Sequence, residues 1–345
     1  VSDAEVLVRL EYGVGRLTLN RPAALHALTT AMCEAMTQAL LDWREDPAVR
    51  AVVIDHAGER GFCAGGDIRM LAESGATDGS QARDFFFKEY RLNTLLMAYP
   101  KTTVALMDGV VMGGGVGISL PCQVRVLTER TVLAMPETGI GLFPDVGGGW
   151  HLPRLPGKTG LWLALTGARI RAADALSLQI GTHFVDSASA PTLKVSLLSG
   201  DMAAVNRLSS DPGPPPLAPH REALDQLFAG DSVEAIIAAL AADQSDWAGT
   251  QAGVLAGKSP QTLKVAFRQF QLGASAKSFA ENMRTEYRIA ARVVSLPDFQ
   301  EGVRAVIIDK DNAPKWSPAS LHDVSNQQLD AIFAPLPMDQ EWTPL

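Results

Sequence analysis

Phe62-Cys63-Ala64-Gly65-Gly66-Asp67 and Met112-Gly113-Gly114-Gly115-Val116-Gly117 are the two stretches on which the reading of the fold turns. Each follows an apolar run that reads as a buried strand and precedes a segment that reads as a helix. Glycine carries no Cβ, so backbone N–H groups in such turns can approach a ligand closely. Two turns of this kind, brought together, would offer two amide donors to one oxygen. That is the construction of an oxyanion hole, and it points to chemistry at a carbonyl. Tight packing is the competing explanation for the glycines.

Outward from these turns the pattern is one of strands alternating with helices. Val6–Leu10 and Arg16–Asn20 flank Gly13-Val14-Gly15 and read as a hairpin. Thr29 or Thr30 caps a helix to about Glu45, with Met32, Met36, Ala39, Leu40 and Trp43 on one stripe. Ala51–Asp55 leads into the first glycine turn. A helix over Ser80–Tyr99 is stopped by Pro100, and Thr103–Met107 leads into the second turn. Gln123–Leu127 and Thr131–Ala134 are further short strands. This repetition predicts an α/β fold with parallel strands over residues 1–190. Beyond the proline-rich Pro212-Gly213-Pro214-Pro215-Pro216, patterns such as Asp231–Ala242 and Pro260–Leu272 predict a mainly helical region over 191–345.

Bulk properties narrow the function. With 345 residues and 47% hydrophobic content the chain can build a large core, and its formal net charge of −8 speaks against a nucleic-acid binder. Three scattered cysteines (Cys33, Cys63, Cys122) suit a reducing compartment. Val1-Ser2-Asp3-Ala4-Glu5 lacks signal-peptide character, and Val104–Leu120 is broken by Asp108 and glycines, so the expectation is a cytoplasmic protein without a membrane span. Familiar catalytic signatures are missing. Gly157-Lys158-Thr159 and Gly257-Lys258-Ser259 lack the upstream glycine of a P-loop, since Leu152 and Ala252 stand there. There is no GxSxG elbow, no HExxH or other metal spacing among the six histidines, and no dinucleotide fingerprint.

What remains is Met135-Pro136-Glu137-Thr138-Gly139-Ile140-Gly141-Leu142-Phe143-Pro144-Asp145-Val146-Gly147-Gly148-Gly149. Two acids sit among small and apolar residues, where poor solvation favours the neutral carboxyl and raises its pKa. Such acids suit proton transfer or nucleophilic attack near neutral pH. The structural alternative is that Glu137 caps a turn and Asp145 caps a helix beginning near Val146.

In this combination the chain resembles the crotonase (enoyl-CoA hydratase/isomerase) superfamily. Glu59–Ile68 and Asp108–Gly117 match its two oxyanion-loop motifs, and Ala134–Gly148 closely resembles its 3-hydroxyisobutyryl-CoA hydrolase branch. Glu301-Gly302-Val303-Arg304-Ala305, Asp309-Lys310-Asp311 and Lys315-Trp316-Ser317-Pro318 add to the likeness, which is weakest over about Asp186–Pro260.

The resemblance implies a crotonase-like spiral of ββα units with a helical C-terminal region, and a CoA thioester whose carbonyl oxygen accepts hydrogen bonds from Gly66 and Gly114. It implies no metal or redox cofactor, CoA arriving with the substrate, and a trimer or hexamer as the assembly. Glu137 and Asp145 are the implied catalytic acids. Glu89, which on its residues alone reads as a solvated position of an amphipathic helix, becomes a substrate contact. Gly117 stands where hydratases carry their first glutamate, and Asp145 where many have glycine, as if one acid were relocated. His26 replaces the asparagine of the family's LNRPxxxNAL pattern and is expected to be a tolerated surface change near the CoA arm. The expected activity is hydrolysis of a short β-hydroxyacyl-CoA, with 3-hydroxyisobutyryl-CoA of valine breakdown the preferred substrate. The rivals are an enoyl-CoA hydratase, a dienoyl-CoA isomerase, and a non-catalytic CoA-binding member.

Overall fold

The structure, a computed structural model, describes residues 4–345. The reading of the N-terminus as lacking a signal therefore rests partly on Val1–Asp3, which lie outside the described residues. β1 (Val6–Glu11) and β2 (Val14–Leu19) form the expected hairpin. Its turn is two residues long, Tyr12 and Gly13, with φ of 48° and 79°, the positive pair that a tight hairpin turn requires. Val14 and Gly15, expected in the turn, instead begin β2.

From there the chain adds strands in pairs. β3 (Ala51–His56) is followed by the short β4 (Gly61–Cys63), β5 (Thr102–Met107) by β6 (Val110–Met112), and β7 (Val124–Leu127) by β8 (Val132–Ala134). β9 (Ile170–Arg171) and β10 (His183–Phe184) complete the set. The long members build a six-stranded sheet in the order β1-β2-β3-β5-β7-β10, parallel from β2 onward. The short members build a second sheet, β4-β6-β8-β9. Each turn of the spiral thus contributes one strand to each sheet. The expected direct passage from Ala51–Asp55 and Thr103–Met107 into the glycine turns is corrected by the insertion of β4 and β6. These strands are three residues long, too short to show a period of their own.

Every residue of β3 is buried, as befits a central parallel strand covered on both faces. Val52 and Ile54 join the main core, while Val53 faces a second apolar layer with Val104, Leu193 and Leu197. Four helices frame the site: α1 (Thr30–Glu45), α2 (Ile68–Gly75), α3 (Ser80–Met97) and α4 (Gly114–Ser119). Thr29 caps α1 by accepting the Met32 amide at 3.2 Å, and Asp67 caps α2 by accepting that of Met70 at 3.3 Å. After β10 the chain is mainly helical. Helices Pro260–Ser275 and Phe279–Val293 return to pack on α3 and on the short α5 (Gly148–His151). No helix of the described residues is long and apolar enough to cross a membrane.

Candidate active site

The two glycine turns abut. Gly65 holds φ of 120° and Gly113 φ of 46°, conformations that side-chain-bearing residues rarely adopt. A Cβ added at Gly113 would stand 3.3 Å from Gly65 Cα and 3.2 Å from Glu137 Oε1. One added at Gly114 would stand 2.6 Å from Glu89 Oε1. The second turn is therefore pressed between the first turn and two carboxyl groups. Gly114 is the first residue of α4, so its N–H has no acceptor within the helix. Among the hydrogen bonds of the described residues outside helices and strands, none is donated by the amide of Gly66 or Gly114.

Gly66, Gly114, Glu89, Glu137 and Asp145 all line one cavity of about 60 Å³. Its apolar wall includes Ile68, Leu71, Phe85, Phe86, Ile140 and Leu142. The size suits a small acyl group, since a single water needs only ~10–15 Å³ measured this way.

Each acid reaches the cavity from a different element. Glu89 projects from α3 and is 2% exposed, which overturns its reading as a solvated helix residue. Glu137 opens a short turn of helix, Glu137–Gly139, and its Oε2 is buried without a partner, as is Oε1 of Glu89. Glu137 is not a cap. Asp145 is not one either: α5 begins at Gly148 with Gly147 at its N-cap and no side-chain bond there. The Asp145 carboxylate instead accepts the Tyr90 hydroxyl at Oδ2, 2.8 Å away and fully buried.

Burial dominates the electrostatics. It lifts Glu89 well above the ordinary carboxyl range, with Asp145, Glu137 and Glu286 adding repulsion. Glu137 is lifted in the same way, by burial first and then by Asp145. Asp145 rises to about 7 because burial outweighs the Tyr90 hydrogen bond that favours its anion. All three are shifted toward neutrality, as suits groups that give and take protons near physiological pH.

Two residues of this region escape a reading of the sequence. Tyr90 lies beside Glu89 within an aromatic run, where it looks like core. Glu286 is fully buried and accepts the amides of Gly147 and Gly149. Its one visible signal is a charged residue on the stripe of Phe279, Met283 and Ala290 that helix Phe279–Val293 buries. His26 is also corrected. It is 2% exposed, packs against His56 with ring centroids 5.5 Å apart and planes tilted by 52°, and accepts the Arg21 amide at Nδ1, 3.0 Å away. Burial lowers its pKa to about 4, so it is a neutral core histidine and not a surface substitution. The C-terminal match Glu301–Asp311 lies outside the cavity and forms an ion-pair knot in which Arg304 meets Glu301, Asp309 and Asp311.

A double sheet wound by paired strands, abutting glycine turns and buried acids define one class of protein. The chain belongs to the enoyl-CoA hydratase/isomerase family, whose model matches residues 14–333. Within it, the chain is 46% identical to a protein of Danio rerio named 3-hydroxyisobutyryl-CoA hydrolase, mitochondrial, over 97% of this chain and 91% of the relative. The Homo sapiens protein of the same name is 42% identical over 96% and 89%. Among solved structures, a protein of Mycobacterium thermoresistibile described as a carnitinyl-CoA dehydratase superposes with a TM-score of 0.95 at 43% identity, covering 99% of both chains. One of Rhodobacter sphaeroides described as an enoyl-CoA hydratase gives 0.91 at 41% identity, covering 99% of this chain and 100% of the other.

Proposed function

We propose that this chain hydrolyses 3-hydroxyisobutyryl-CoA to 3-hydroxyisobutyrate and CoA. The observation that carries this reading is the placement of Glu137 and Asp145, buried together beside two abutting glycine turns, in a chain 41–46% identical to proteins curated as that hydrolase. In the proposed scheme the thioester oxygen accepts the Gly66 and Gly114 amides, which stabilise the charge that develops there. Glu137 gives up its proton and, as the carboxylate, attacks the carbonyl carbon; the C–S bond breaks, and CoA leaves as a thiolate that takes up that proton. Water then cleaves the resulting mixed anhydride, regenerating Glu137. The variant scheme has Glu137 remove a proton from water, which attacks directly. In either, Asp145 binds the β-hydroxyl and exchanges protons, with Glu89 beside it.

Single-turnover hydrolysis in heavy-oxygen water, run with and without hydroxylamine, separates the two. Label in the Glu137 carboxyl, or trapping of an acylated Glu137 by hydroxylamine, means attack by Glu137; label in the free acid with no trapped adduct means attack by water. Failure to release thiol from the substrate under any condition would sink the reading as a whole.

The descriptions of the two solved relatives favour a second reading, hydration or dehydration of an acyl-CoA. Against it stands Gly117, at which a side chain would meet Val146 Cβ at 2.6 Å and Asn93 Nδ2 at 2.9 Å. A crotonyl-CoA hydration assay run beside thiol release discriminates. Valine catabolism is the pathway this substrate implies. A trimeric or hexameric assembly and a cytoplasmic location complete the proposal. Light scattering tests the first, and cell fractionation against mitochondria, the compartment in the relatives' names, tests the second.

A further inference from the structure

Glu286 is the one buried acid of this region that the scheme above leaves without a task. It comes from helix Phe279–Val293, far along the chain from the acids of the cavity. Its Oε2 accepts the Gly147 amide at 2.8 Å, and its Oε1 accepts the Gly149 amide at 2.9 Å. Oε1 also takes side-chain donors from Asn282 at 2.9 Å and Gln269 at 3.1 Å. No salt bridge of the described residues involves it. Gln269 Nε2 in turn donates to the Pro144 carbonyl at 2.7 Å.

The residues held by this cluster are those on either side of Asp145. Pro144 O is fixed on one flank, and the amides of Gly147 and Gly149 on the other. Between them Val146 adopts φ of 50°, a left-handed conformation that a β-branched residue takes only when its surroundings impose it. A loop left free would relax Val146 and carry Asp145 away from the Tyr90 hydroxyl.

We infer that Glu286 is a positioning residue, a clamp from the C-terminal helices that holds the Pro144–Gly149 loop so that Asp145 faces the acyl cavity. This rests on the role given to Asp145 in the proposed hydrolysis. Glu286 meets no substrate; it acts through Asp145. The helical C-terminal region therefore takes part in building the site.

The test is a double-mutant cycle on the full chain, with thiol release from 3-hydroxyisobutyryl-CoA giving kcat and KM. Glu286→Gln keeps the size of the side chain but sets an amide NH₂ against a backbone N–H. It is expected to lower kcat roughly 10–100-fold, the scale of a small misplacement of a catalytic group, with KM little changed. Asp145→Asn lowers kcat by itself, and adding Glu286→Gln to it brings little further loss, because residues acting as a unit are not additive. A folded Glu286→Gln protein with wild-type kcat, or a double variant showing the full product of the two losses, overturns the inference. Should Glu286→Gln fail to fold, Gln269→Met removes the hold on Pro144 O and is read by the same criteria. Wild-type protein that releases no thiol instead sinks the proposed hydrolysis, and Asp145→Asn at full rate sinks the role given there to Asp145.

Discussion

Two sets of buried carboxyls lie in this molecule, and they are treated in opposite ways. Asp55, in the central strand β3, has a side chain 1% exposed and is saturated with partners. It accepts Thr18 Oγ1 at 2.6 Å, Arg16 Nη2 at 2.9 Å and Lys194 Nζ at 2.9 Å. The acids of the cavity are as buried but none forms an ion pair, Lys258 reaching Glu137 only through a weaker long-range attraction: Glu89 and Glu137 each keep an oxygen without a partner, and Asp145 has the Tyr90 hydroxyl. Burial alone does not decide what a carboxyl does. A paired one serves the framework through its partners, and an unpaired one is left able to exchange protons.

The contrast breaks most sharply at Glu137. Glu137→Gln is expected to cut hydrolysis about 10⁴-fold, roughly 5 kcal/mol of barrier, while leaving the fold intact, because the amide matches the carboxyl in size and no ion pair is lost. Thiol release measured beside circular dichroism checks both halves. A variant that retained the wild-type rate would place Glu137 with Asp55, as framework.

Asp145 tests the stability side of the same contrast. Its ordinary value of 3.8 is raised to about 7 in the folded chain, so the folded state holds a proton that the unfolded state releases. Stability from this group is thus complete below pH ~4 and is lost as pH rises toward 7. Asp145→Asn has no proton to lose. It should become more stable relative to wild type between these limits, by on the order of 4 kcal/mol at full development. Urea unfolding at pH 4.5 and pH 8 measures the gap, and a gap that stays constant with pH would show that Asp145 is not held protonated.

At Asp55 the expected sign reverses. Asp55→Ala strands Arg16 and Lys194 against a buried site and should cost about 3 kcal/mol of stability. The kcat of the protein that remains folded should not change. Urea titration and thiol release, made on the same sample, are the measurements.

These differences were unequally visible in the sequence. The glycine turns, α1 with its Thr29 cap, and the pair Glu137 and Asp145 are local patterns; the structure forms α1 with that cap and brings the turns and both acids to one cavity. Glu89 sits on a helix whose apolar face is obvious, but which face its own side chain joins depends on the return of the second glycine turn against α3. The clamp at Glu286 is less legible still. Its partners Gly147 and Gly149 are distant in sequence, and no spacing records which loop a helix will meet. His26 was misread because its neighbour His56 belongs to another element, and only the folded sheet brings the two rings together.

The smallest expected effect is that of removing metal ions. A hard cation binds carboxylates in their charged form, so a proton held on the acid competes with it. Burial and mutual repulsion raise Glu89 and Glu137 well above the ordinary carboxyl range and Asp145 to about 7, which favours the proton over a cation at each. With its charge-stabilising donors coming from the backbone, the proposed scheme needs no metal or redox cofactor. Dialysis against EDTA should therefore leave the rate of thiol release unchanged. A loss restored by added divalent cation would mean that the cavity acids are charged and paired after all, with the metal doing for them what Arg16 and Lys194 do for Asp55. The distinction between the two sets of acids would then disappear, and with it the reason for assigning proton exchange to one of them.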